Sequence, residues 1–150
     1  MASSNPGKGW EDTFRKLAEI SGISCVRFHD TMYDYKNVSN PADFVISKEK
    51  RLPSLLIECK EVEKRSFKLR FKQLEDLLKL TNFQSYVVIW FSSYKVVVAL
   101  TPEQVQGLLA KGRKSMGPED LLKVGINLCN SYNRIKPKTL LFEKLWDFMN

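Results

Sequence analysis

Histidine is almost missing: the 150-residue chain has one, His29, and its three cysteines, Cys25, Cys59 and Cys129, stand 34 and 70 residues apart without a CxxC pair. This argues against a zinc centre and excludes a histidine-metal nuclease, and His29 is left a structural part or a minor phosphate contact. An odd, scattered set of thiols reads as reduced, buried small hydrophobes of a cytoplasmic protein. Long apolar runs are lacking too. The longest, Tyr86 to Phe91, is far short of the ~20 residues that cross a bilayer. The start, MASSNPGKG, has no secretory apolar stretch, so the expectation is cytoplasmic, without membrane contact. Repeats and low-complexity tracts are absent, and the length suits one domain with a core over about 8–110 and a C-terminal extension over 111–150.

What the chain has in excess is positive charge. Lys and Arg number 24 against 17 Asp and Glu, a net of +7, which favours a polyanionic partner such as nucleic acid. Trp10, Phe14, Leu17 and Ala18 recur at helical spacing before Gly22, which predicts an amphipathic helix over 10–21. Ile23 to His29 reads as a strand and Asp30 to Pro41 as a polar loop. Ala42–Ser47 and Ser54–Lys60 read as a hairpin about Lys48–Pro53. A second helix is expected over 71–82, then strands at Tyr86–Phe91 and Tyr94–Leu100, the first apolar throughout and so buried on both faces. Thr101-Pro102 marks the start of a helix reaching Ala110. Beyond it, 118–124 reads as a short helix and Thr139–Met149 as a closing one. The order α, β, β, β, α, β, β, α implies an α/β fold, one mixed sheet of about five strands flanked by helices.

Residues two apart on a strand share a face, so Leu56, Glu58 and Lys60 point one way and Leu55, Ile57 and Cys59 the other. An isolated E-x-K is most often a solvated strand end. Here the preceding hairpin arm, Pro41-Ala42-Asp43-Phe44, sets an aspartate among apolar neighbours. In the hairpin, Asp43 reaches towards Glu58, which offers two hard oxygen ligands to Mg²⁺, and Lys60 stands alongside to orient water or neutralise phosphate charge. At 100° per residue from Trp10, Glu11 falls at about 100°, on the edge of the apolar stripe. Taken alone, Glu11 reads first as an acid meeting the helix dipole.

Together, Glu11 on the first helix, Pro41-Ala42-Asp43, and Glu58-Cys59-Lys60 on the next strand resemble the PD-(D/E)XK nuclease superfamily. More narrowly, the chain resembles the Holliday junction resolvases of the RecU type and their archaeal-type relatives, phage versions included. The features that carry this are Gly7-Lys8-Gly9-Trp10-Glu11, the stretch Ser66-Phe67-Lys68-Leu69 with Phe71 and Gln73-Leu74, and the strand pair leading into Thr101-Pro102. The likeness spans roughly residues 5–110; the loop Asp30–Pro41 is short for the stalk of the RecU proteins and their arginine-rich N-terminal signature is absent. The resemblance implies a restriction-endonuclease-like fold and a homodimeric, Mg²⁺-dependent endonuclease, with Mn²⁺ as substitute and no small-molecule cofactor, acting on branched DNA in recombination or repair. It implies Asp43 and Glu58 as metal ligands, the Cys59 carbonyl as a further one, Lys60 as the catalytic lysine and Glu11 as a supporting acid. The alternatives are a related nuclease acting on nicks, flaps or duplex sites, and a non-catalytic basic DNA-binding module.

For DNA contact the candidates are Lys8 and Arg15 on the first helix, then Lys64, Arg65, Lys68, Arg70 and Lys72 with Phe67, Leu69 and Phe71 interleaved, and Gln73. Tyr33 and Tyr35 suit either base stacking or surface packing. The clusters Lys111, Arg113, Lys114 and Arg134, Lys136, Lys138 read first as solubilising surface and otherwise as contacts to a second duplex arm.

Overall fold

The computed structural model describes residues 6–27, 42–64, 67, 71–80, 83–112 and 116–147. The first helix, α1 (Pro6–Ile20), starts four residues earlier than the apolar spacing indicates, because proline is at home in a first helical turn, where its missing N–H is no loss. It ends on Gly22, whose φ of 76° lets the Gly22 and Ile23 N–H groups reach back to the Glu19 and Ala18 carbonyls. The chain then runs through β1 (Ser24–Arg27), β2 (Phe44–Lys48), β3 (Arg51–Val62), α2 (Phe71–Leu78), β4 (Gln84–Phe91), β5 (Val96–Leu100) and α3 (Pro102–Ala110). These eight elements follow the order expected from sequence. The connection 30–41, with Tyr33 and Tyr35, lies outside the described residues, as does His29.

One sheet has the order β1-β2-β3-β4-β5-β6, where β6 is Ile126–Asn127. β3 and β4 are parallel across the α2 crossover and the other pairs are antiparallel. The sheet thus has six strands, one more than the sequence indicated. Two residues carry no alternation to read, and β6 docks only because Gly125 has no Cβ: one would stand 2.7 Å from the Ala99 carbonyl oxygen. A separate ribbon pairs β7 (Ser131–Asn133) with β8 (Lys136–Thr139), and two short helices, α4 (Pro118–Leu122) and α5 (Glu143–Asp147), complete the elements. Among the described residues the expected closing helix spans Glu143–Asp147 and does not begin at Thr139, which belongs to β8.

Alternation along the strands divides the core by face. Leu55, Ile57, Cys59, Tyr86, Val88, Val97 and Ala99 pack with α1 residues Trp10, Phe14 and Leu17. Leu56, Val87, Ile89, Phe91, Val98 and Leu100 pack with Leu74 and Leu77 of α2 and Val105 and Leu108 of α3. β4 is buried on both faces, as its unbroken apolar run indicates. Residues from the C-terminal part, Leu128, Leu140, Phe142, Leu145 and Trp146, belong to the α1-side core. The α3 start is a reciprocal cap: the Gln104 N–H donates to Thr101 Oγ1 and the Thr101 N–H to Gln104 Oε1. No described helix is long and apolar enough to cross a membrane.

Candidate active site

The site sits at the open end of the β2–β3 hairpin. The pairing Phe44↔Ile57 brings Asp43, one residue before β2, alongside Glu58. Asp43 is fastened to β3 twice: its N–H donates to the Ile57 carbonyl at 2.9 Å, and its Oδ2 accepts from the Cys59 N–H at 2.7 Å. These bonds bracket Glu58, so main-chain register fixes the two carboxylates relative to each other. Cys59 turns its side chain into the α1-side core and meets the site only through its backbone.

Glu58 is the one charged side chain that is buried among the described residues, at 6% exposure. Its Oε2 receives two donors, Lys60 Nζ at 3.2 Å and the Gln73 side-chain amide of α2. Lys60 and Glu58 share a strand face, as the i, i+2 spacing requires. On the other side of Asp43, Arg27 of β1 donates to Glu11 of α1 at 2.6 Å, stands 3.7 Å from Asp12 and lies over the Phe44 ring at 4.9 Å.

These surroundings disfavour both carboxylates in charged form. Burial pushes Asp43 up to about 6, with Glu11 adding repulsion, while the Cys59 N–H, Lys60 and Arg27 act in the opposite sense. Burial, then the charge of Asp43, pushes Glu58 up to about 8 against the pull of Lys60 and Gln73. Two acids held together, both opposed by burial and Glu58 also by the charge of Asp43, make a place where added positive charge is favourable.

Of the residues picked out in the sequence, the structure brings Asp43, Glu58 and Lys60 together, with Glu11 close enough to repel Asp43. Candidate DNA contacts divide differently. Lys64 is exposed just past β3. Lys72 is exposed but donates to Asp76 one turn on, at 2.9 Å, and Gln73 is turned inward onto Glu58. Arg15 is half-buried, with its Nε shielded from solvent and without a hydrogen-bond partner among the described residues. The side chain of Lys8, and Arg65, Lys68 and Arg70 altogether, lie outside the described residues. Sequence reasoning passed over Arg27. Its signal was faint: on a strand alternating exposed and half-buried positions, Arg27 shares the inward side with Cys25.

The donor set suits a hard divalent cation. Mg²⁺ is commonly held by one or two carboxylates, with water and substrate phosphate completing its shell, and two carboxylates are what this corner supplies. No group of three or more His, Cys, Asp or Glu side chains able to enclose an ion occurs among the described residues.

No family model matches the sequence, and no curated protein matches it. Among solved structures the chain is similar to Hjc, a Holliday junction resolvase of the archaeal hyperthermophile Archaeoglobus fulgidus, with a TM-score of 0.58, 16% identity, and coverage of 81% of this chain and 95% of that one. The fold is thus restriction-endonuclease-like: a mixed α/β sheet flanked by helices.

Proposed function

We propose that this chain is a metal-dependent DNA endonuclease acting on branched DNA, four-way junctions foremost. One observation carries the reading: Asp43 and Glu58, from adjoining strands, are locked side by side by main-chain hydrogen bonds with Lys60 Nζ 3.2 Å from Glu58 Oε2. A structural role alone does not account for a buried and a half-buried carboxylate side by side, both disfavoured in charged form by the same surroundings. The likeness to a junction resolvase in fold raises the weight of this reading over that of a basic DNA-binding module.

In this reading Asp43 and Glu58, with the Cys59 carbonyl, hold Mg²⁺ or Mn²⁺, which supplies Lewis-acid stabilisation of charge on the scissile phosphate. Lys60 orients the attacking water and offsets phosphate charge. Gln73 is a positioning residue, since its amide holds the Glu58 carboxylate in one rotamer. Arg27 holds Glu11 beside Asp43. Two copies of the chain about a two-fold axis present two sites to opposing strands of a junction.

The test is cleavage of a synthetic four-way junction in Mg²⁺. Asp43→Asn, Glu58→Gln and Lys60→Ala are each expected to reduce cutting by at least about 10²- to 10³-fold, with junction binding retained. Undiminished cutting by Glu58→Gln overturns the site. Faster cutting of flap or linear duplex than of junction transfers the activity to other DNA, and binding without cutting in either metal leaves a binding module.

A further inference from the structure

We propose that the β7–β8 ribbon is a second DNA-binding element that grips phosphates away from the nuclease corner; it rests on the reading that the substrate is DNA. The pairing gives the ribbon two unlike faces. Tyr132 faces Pro137 across it, and this side turns to the protein: Pro137 is buried and Tyr132 packs against the α1-side core. Lys136 projects the other way by alternation, Lys138 stands at the bulge where the register shifts, and both are exposed. The turn between the strands is Arg134-Ile135, with Arg134 at φ 63° and both residues exposed.

Charge on this ribbon is not offset locally. From Leu121 to Phe142 the chain has no Asp or Glu. Arg27, Lys48, Arg51, Lys60, Lys72 and Lys79 each pair with a carboxylate, whereas Arg134, Lys136 and Lys138 take part in no ion pair among the described residues. Three cations on one ribbon, with no ion pair among the described residues, are complementary to a line of phosphates.

Sheet register relates Lys60 to β6, the strand from which the ribbon departs. Lys60 pairs with Ile89, Ile89 with Val98 and Val98 with Asn127, so Lys60 and Asn127 stand in one row across four strands. Three strand spacings of about 4.8 Å separate them by roughly 14 Å. β6 is parallel to β3, because two antiparallel steps link it to β4, so the chain leaves β6 heading the way β3 runs from Glu58 to Lys60. The ribbon's base is fixed there by the Leu128 N–H on the Val97 carbonyl at 2.9 Å and the Leu141 N–H on the Leu128 carbonyl at 2.7 Å.

The experiment measures binding of a labelled four-way junction by fluorescence anisotropy in EDTA, where nothing is cut, across a salt series. The variant carries Arg134→Ala, Lys136→Ala and Lys138→Ala. Each lost phosphate contact removes about 0.9 from the slope of log K against log salt, so the slope becomes shallower by up to about 2.7, and the variant loses up to about 40-fold less affinity than wild type between about 50 and 200 mM salt. Unchanged slope and affinity in a variant with wild-type circular dichroism overturns the ribbon. Should that variant misfold, Lys136→Gln with Lys138→Gln, at exposed positions, is expected to lose up to about 1.8 of slope, and no loss overturns the proposal equally. Cutting is scored separately: wild type that binds but never cuts removes the nuclease reading and leaves the ribbon, whereas full cutting with unaltered binding by the variant removes the ribbon and leaves the nuclease.

Discussion

The two ends of the β2–β3 hairpin are built from the same kinds of side chain and arranged to opposite effect. At the turn, Lys48 pairs with Glu143, and Arg51 with Glu143 and Asp147, all reaching to α5. Trp146 donates its indole N–H to the Pro53 carbonyl at 2.8 Å and lies beneath the Arg51 guanidinium. Lys48 and Arg51 there each meet an anion, the carboxylates are half in water, and the cluster joins chain end to hairpin. At the open end, Asp43 and Glu58 are like charges, half-buried and buried respectively, with Lys60 as the cation on Glu58. Complementary, solvated charge is what a fold uses to fasten itself. Conflicting, buried charge costs stability and marks where the molecule takes up something else.

The largest effect that would break this contrast concerns Trp146. It is 5% exposed in the α1-side core, so Trp146→Ala is expected to destabilise by about 3–5 kcal/mol, read as the denaturant midpoint. A loss under about 1 kcal/mol would show that α5 does not fasten the hairpin.

Next in size is Glu58→Gln, which removes the conflict at the open end. In EDTA at about pH 9 it is expected to stabilise the protein by roughly 1 kcal/mol or more, while cutting is lost. The wild type should show the matching pH dependence. Both folded-state values are raised above the ordinary carboxylate range, so the folded form keeps protons that the unfolded form has released. The associated stability is fully present below about pH 3.8 for Asp43 and 4.5 for Glu58, and is lost as pH rises through about 6 and about 8 respectively. Thermal midpoints without metal should fall between about pH 5 and 9, and the fall should shrink in Glu58→Gln; a wild type more stable at the alkaline end would contradict the buried-charge account.

The smallest effect is expected at Lys48, which is about a third exposed and salt-bridged to a carboxylate more open still. Lys48→Ala should cost at most about 0.5 kcal/mol and leave cutting unchanged. A larger stability loss would mean the turn-end charges are more than a surface fastening.

Where a pattern is local and periodic, the sequence discloses it. The α1 stripe of Trp10, Phe14 and Leu17, the two-faced burial of β4 and the Thr101 start of α3 are all readable because their spacing repeats within a few residues. E-x-K put Glu58 and Lys60 on one face by strand geometry alone, and the hairpin set Asp43 near them. Arg27 and Gln73 were not assigned their places, because one meets Glu11 from 16 positions away and the other meets Glu58 from 15. Such contacts depend on β1 lying beside β2 and on how α2 crosses the sheet. Leu140, Phe142, Leu145 and Trp146 are all buried, yet their spacing fits neither period because β8, a loop and α5 contribute to it in turn. The C-terminal segment therefore read as an extension, although its side chains complete the core.

Titrating Mn²⁺ into the metal-free protein while following its electron paramagnetic resonance tests the central claim most directly, with a crystal soak to locate the ion. The account predicts one ion per chain, its anomalous peak between Asp43 and Glu58, and loss of that binding in Asp43→Asn. No saturable binding, or an ion seated elsewhere with this corner empty, would contradict it.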